Sequence, residues 1–162
     1  MKKLILLISL FFITVELYAQ TRLHYGGANK KLMEAVNKAN QILTDSIFYQ
    51  QITLINHFDN SEYSGSKIAQ EIHKLNRTVE VGTYWNFLSK ATGKTVSKIK
   101  INTAKLNRPF AEIVNTLIHE SIHAVDFLTN EEWDYTHDGN SADGQDKTAP
   151  WIIGDIAEKI VN

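Results

Sequence analysis

The chain has 162 residues, with 17 Lys and Arg against 18 Asp and Glu, and no cysteine. A balance so close to neutral gives no sign of the polyanion-binding surface that nucleic acid requires. Without cysteine there is no disulfide, and any metal site must be built from His, Asp and Glu.

In chain order, Lys2 and Lys3 precede an apolar run from Leu4 to Val15, followed by the more polar stretch Glu16 to Gln20. That order matches a secretory signal peptide cut after Ala19. The apolar run is shorter than the roughly 20 residues a spanning helix needs. No cysteine follows it to carry a lipid. The expectation is a signal peptide over residues 1–19 and one domain over 20–162. The product would be secreted or periplasmic, without stable membrane insertion.

Asn29 predicts the cap of a helix in which Leu32, Val36, Ala39 and Leu43 recur at helical spacing. Ile47 to Ile55, rich in β-branched and aromatic residues, reads as a strand. Ser66 opens a second helix with Ile68, Ile72 and Leu75 on one face. Thr78 to Trp85 and Val96 to Thr103 alternate as strands. In the second, Ile99, Ile101 and Thr103 oppose Lys98, Lys100 and Asn102. Pro109 suits the first position of a long apolar helix running through Val125. Residues 129–149 are polar and turn-rich. Pro150 then opens a last helix with Ile152, Ile156 and Ile160 inward. Helices and strands mix without a βαβ rhythm, so the class is α+β.

The chemistry lies in His119-Glu120-Ser121-Ile122-His123, an H-E-x-x-H pentapeptide within the long apolar helix. Residues four apart share a helical face, so both imidazoles can reach one ion. Zinc accepts nitrogen ligands tetrahedrally and keeps a position open for water. The metal lowers the water's pKa, and Glu120, adjacent to the first histidine, takes the proton. Ionisable side chains in so apolar a helix are costly unless something pairs with them.

A third ligand is required. His137, in Thr136-His137-Asp138-Gly139-Asn140, is the preferred choice, because a helix stop at Thr129-Asn130 lets the chain return to the metal. Glu131, Glu132 and Asp134 are alternatives, with Glu158 more remote. Asp126, three residues beyond His123, suits support better than ligation, accepting the ring N–H of a bound histidine. Tyr135 is a candidate donor to the developing oxyanion. His24, His57 and His73 show no ligand spacing. The loop from Asp138 to Asp146 fails the calcium-loop pattern, since Ala142 stands at an oxygen position; a self-bonded turn is the plainer reading.

Over about residues 96–140 the chain resembles the zincin metallopeptidases, whose H-E-x-x-H helix lies under a mixed sheet. The resemblance implies that His119 and His123 are ligands and Glu120 the general base. It also implies that Val96 to Thr103 is an edge strand pairing with an extended substrate. A histidine in a Gly-containing loop after the helix, here His137, resembles the third ligand of SprT-like and other three-histidine zincins. The compact metzincin pattern is absent, with Asp126 at its glycine position and Thr129 at its last histidine. The implied function is zinc-dependent hydrolysis of a peptide, a protein or a peptidoglycan peptide. The alternative from another class is a noncatalytic exported binding module with a structural metal.

Overall fold

A computed structural model describes residues 22–59, 61–75, 77–95, 98–129 and 147–162. Its elements are β1 (Arg22–His24), α1 (Lys30–Ile42), α2 (Ser46–Thr53), α3 (Gly65–Lys74), β2 (Thr78–Tyr84), β3 (Gly93–Thr95), β4 (Ile99–Asn102), α4 (Phe110–Leu128) and α5 (Ala149–Val161). The α+β class holds: five helices accompany a four-stranded mixed sheet of order β1-β2-β4-β3. The β1–β2 and β2–β4 pairings are parallel, whereas β3 runs antiparallel to β4. No helix of the described residues is long and apolar enough to cross a membrane. The expected signal peptide lies outside the described residues.

α1 forms where its spacing predicts, and the Asn29 side chain accepts from the Leu32 N–H at 3.0 Å. Asn40, on the same helix, brackets the backbone of Leu23, accepting its N–H at 2.8 Å and donating to its carbonyl at 2.9 Å. That amide satisfies β1 on the side away from β2. α3 begins at Gly65 under a Ser64 cap, one residue earlier than Ser66 suggests. The reason for that start is steric. A Cβ at residue 65 would lie 1.9 Å from the Ile52 carbonyl oxygen, so only glycine lets the chain pass there.

Ile47 to Ile55 is not a strand. Residues 46–53 are α2, opened by Asp45, whose carboxylate accepts the Ile47 N–H at 2.8 Å. Phe48 and Ile52, four apart, are fully buried, while Ile47 and Leu54 are exposed. One helical stripe is thus apolar enough to bury, and the N-cap decides against the β propensity of the same residues.

α4 is the centre of the molecule, packing on α1, α5, β3 and β4. Its burial extends around most of its circumference, as expected of a helix apolar on nearly all sides. Pro109 sits just before it as the N-cap, within the usual one-residue play of helix ends. α5 crosses α4 closely where Gly154 meets Asn115; a Cβ there would fall 2.5 Å from the Asn115 amide oxygen. Ile153 and Ile156 enter the core, with Ile152 and Ile160 packed at its margin.

The edge strand expected over Val96 to Thr103 needs a correction. β4 spans only Ile99–Asn102 and lies inside the sheet, between β2 and β3. The edge is β3, a segment too short and polar to show an alternating signal. Asn102, grouped by alternation with the lysines, is completely buried. Its amide holds the β2–β3 connection, donating to the carbonyls of Asn86 at 2.8 Å and Ala91 at 3.1 Å and accepting the Asn86 N–H at 3.0 Å. Thr103 leaves the strand and enters a single 3₁₀ turn over Thr103–Lys105.

Candidate active site

The pentapeptide occupies the middle of α4. The rings of His119 and His123 lie with centroids 5.1 Å apart and planes at 63°. Two imidazoles bound to one tetrahedral ion through nitrogens at ~2.0–2.1 Å have centroids about 5 Å apart. The pair therefore fits a shared metal on spacing. Trp151, from α5, meets the His119 ring edge-on at 5.0 Å and 82° and limits where that ring can turn. Both histidines remain partly accessible.

Glu120 is 6% exposed. It lies beneath β3, where the Thr95 hydroxyl reaches its carboxylate at 2.8 Å and its backbone carbonyl at 3.0 Å. Gly93, two residues earlier on β3, lets the strand settle this close. A Cβ there would stand 2.8 Å from the Thr116 methyl and 2.9 Å from a Glu120 carboxylate oxygen. Burial pushes the Glu120 carboxyl up to about 7, and the Thr95 hydrogen bond opposes that rise. A carboxyl held near neutrality can both take and return a proton, as general acid–base work requires.

The antiparallel register gives β3 a second property. Residues facing each other alternate between hydrogen-bonded and non-bonded pairs. Thr92 accepts the Asn102 N–H at 2.9 Å, which puts Lys94 in the next bonded position with Lys100. The backbone N–H and C=O groups of Gly93 and Thr95 consequently turn to the open side of the sheet. The residues that touch Glu120 are thus the same ones whose outward peptide groups pair with no other strand among the described residues.

One turn up α4 the seam stays polar. The Thr116 hydroxyl accepts from an Arg108 terminal nitrogen at 2.7 Å and lies 3.3 Å from the Thr92 hydroxyl. Burial lowers the Arg108 pKa, with Glu112 and Glu158 opposing. Below Glu120, a cavity of about 270 Å³ opens beside Thr95, lined by Thr78, Glu80, Lys98, Ala124, Phe127 and Leu128 among others. Phe127 follows His123 by four residues, so this recess continues the histidine stripe.

The remaining expected residues separate clearly. Asp126 is buried near the end of α4, at 9% exposure. Glu158 faces Asn115, accepting its amide N–H at 2.7 Å, a turn of α4 away from His119. His137, Tyr135, Glu131, Glu132, Asp134 and the loop from Asp138 to Asp146 lie outside the described residues. Among the described residues no set of three His, Asp or Glu gathers to hold an ion. His24 lies on β1 opposite Glu80, and His73 packs edge-on to Tyr49 at 5.2 Å. Thr95, Gly93, Thr92 and Arg108 were not foreseen. Their one sequence signal is a small, polar stretch close upstream of the motif helix, which reads as an ordinary loop. Comparison of the chain with family models, with curated proteins and with solved structures finds no match.

Proposed function

We propose that the protein is an exported zinc-dependent hydrolase acting on peptide bonds. The observation that carries this reading is the placement of Glu120. It is buried beside two histidines spaced for one ion, under an edge strand whose Thr95 bonds it and whose amides are open. A helix bearing H-E-x-x-H below a mixed sheet, with an edge strand to pair with an extended substrate, is the arrangement that the zincin resemblance implies. The edge that serves it is β3 rather than the strand expected from the sequence.

His119 and His123 would hold the zinc, with His137 as the preferred third ligand and Asp126 as support for a ligand ring. Bound zinc supplies a Lewis acid for the substrate carbonyl and an acidified water. Glu120, desolvated and near neutral pKa, takes the water's proton and returns it to the leaving amine. Gly93 and Thr95 bind the substrate backbone as an added strand. The recess beside Thr95 receives one substrate side chain. Tyr135 remains the proposed donor to the developing oxyanion. Proteins, peptides and peptidoglycan peptides all present the required bond. A purely structural metal site would not need a buried carboxyl beside its ligands, which favours catalysis over a binding module.

The test is Glu120→Gln in zinc-loaded protein, assayed on a mixed peptide library and on peptidoglycan fragments. The expected result is full zinc content with hydrolysis reduced by at least ~10²-fold. Undiminished hydrolysis in that variant would remove Glu120 from the mechanism.

A further inference from the structure

The near-zero net charge conceals a segregation. Between Glu80 and Glu112 there is no acidic residue, yet Lys90, Lys94, Lys98, Lys100, Lys105 and Arg108 all fall there. The stretch contains β3, β4 and the connection that precedes them. Lys94 stands directly opposite Lys100 in the β3–β4 register. Since Gly93 and Thr95 face α4, the alternation places Lys94 on the sheet face away from the helices, with Lys100 beside it. Like charges directly opposite on adjacent strands destabilise a sheet. Lys94 finds partial relief over the Tyr84 ring, 4.8 Å from its centroid. No ion pair among the described residues involves any of the five lysines. Glu80, on β2 next to Lys98, marks the border of the basic face.

At the end of this face the β2–β3 connection displays apolar side chains. Trp85 is 73% exposed, Phe87 67% and Leu88 90%. Single exposed hydrophobics are ordinary, but three within four residues form a patch. The turn that carries them is held firmly. Buried Asn102 grips its backbone, and the Asn86 side chain accepts the N–H groups of Leu88 and Ser89, each at 3.0 Å. Lys105 lies over the Phe87 ring at 5.7 Å and bonds the Phe87 carbonyl at 3.3 Å, placing a cation at the base of the patch.

We propose that this turn and the lysine face dock the protein on an anionic phospholipid surface. Trp85, Phe87 and Leu88 enter the headgroup–acyl boundary, where an indole is well suited, and the lysines meet the anionic headgroups. Charge decides among occupants. A second copy of the same face would set lysine against lysine. A single-stranded nucleic acid would stack on the aromatic rings but give Leu88, the most exposed of the three, no role. The inference does not depend on the metal chemistry.

The test uses the full chain with vesicles of phosphatidylcholine containing about one-third phosphatidylglycerol and brominated acyl chains, which quench a tryptophan that reaches them. The apolar run at residues 4–15 holds no tryptophan, so its own insertion carries no indole to the acyl chains. Quenching is expected with anionic but not with neutral vesicles, and its Trp85 component should vanish in Trp85→Phe. Leu88→Asp, at a fully accessible position, should weaken binding at least about fivefold, and so should Lys90→Glu, whose expected loss follows from roughly fivefold per lysine. Circular dichroism matching the parent confirms that each variant folds. Absence of quenching, quenching undiminished in Trp85→Phe, or binding unchanged by both Leu88→Asp and Lys90→Glu would overturn the proposal. So would equal quenching of Trp85 emission by a single-stranded oligonucleotide that Leu88→Asp leaves intact.

Discussion

The Glu120 carboxyl lies in a place that ionisation makes expensive, and this has a consequence measurable without substrate. Its pKa is raised from 4.5 to about 7 in the metal-free fold, chiefly by desolvation. Between those values the folded state holds a proton that the unfolded state has lost, so stability falls as pH rises. The contribution is complete below about pH 4.5 and gone above about pH 7. The decline is on the order of 3 kcal/mol. Urea unfolding of metal-free protein at several pH values should show it, and Glu120→Gln should flatten that part of the curve. A parent and a Gln variant with identical pH dependence would contradict the burial argument. At this scale the sequence was informative about chemistry and silent about surroundings. His119, Glu120 and His123 are recognisable because their spacing is local to one helix. Thr95 and Gly93 lie some 25 residues earlier, and only the fold brings them to the carboxylate.

The helices show which elements a sequence declares. α1, α4 and α5 are long enough for their apolar period to repeat several times, and each lies close to where that period puts it. α2 has eight residues, scarcely two turns, and its Ile, Phe and Tyr content suits a strand equally well. The Asp45 cap and the buried pair Phe48 and Ile52 resolve the ambiguity. Asp45→Ala should therefore destabilise the protein by about 1 kcal/mol, read as a lower urea midpoint with an unchanged slope. A neutral effect would mean that packing alone holds α2. β3 is the opposite case. Gly93, Lys94 and Thr95 carry no alternation, and the strand exists because β4 offers a partner on one side and α4 a floor beneath. The place of β4 inside the sheet was also hidden, since strand order is set by contacts far apart in sequence.

For the molecule as a whole, one core joins all five helices to the inner face of the sheet, and α4 runs through its middle. No disulfide reinforces it. The candidate site lies where this central helix meets an edge strand, so the histidines and Glu120 stand on the helix that packs against most of the other elements. A polarised charge distribution places the basic side on β3, β4 and the connection before them, next to that same edge. The α+β class and the position of the motif helix were legible from pattern; the way the sheet edge, the recess and the lysine face converge around it was not. The account rests finally on one ion being held by the two α4 histidines. X-ray absorption at the zinc edge of the zinc-loaded protein measures that shell directly. The account predicts at least two imidazole nitrogens at about 2.0–2.1 Å, with that signal reduced in His119→Ala and in His123→Ala. A shell without imidazole, or one unchanged by both substitutions, would contradict it.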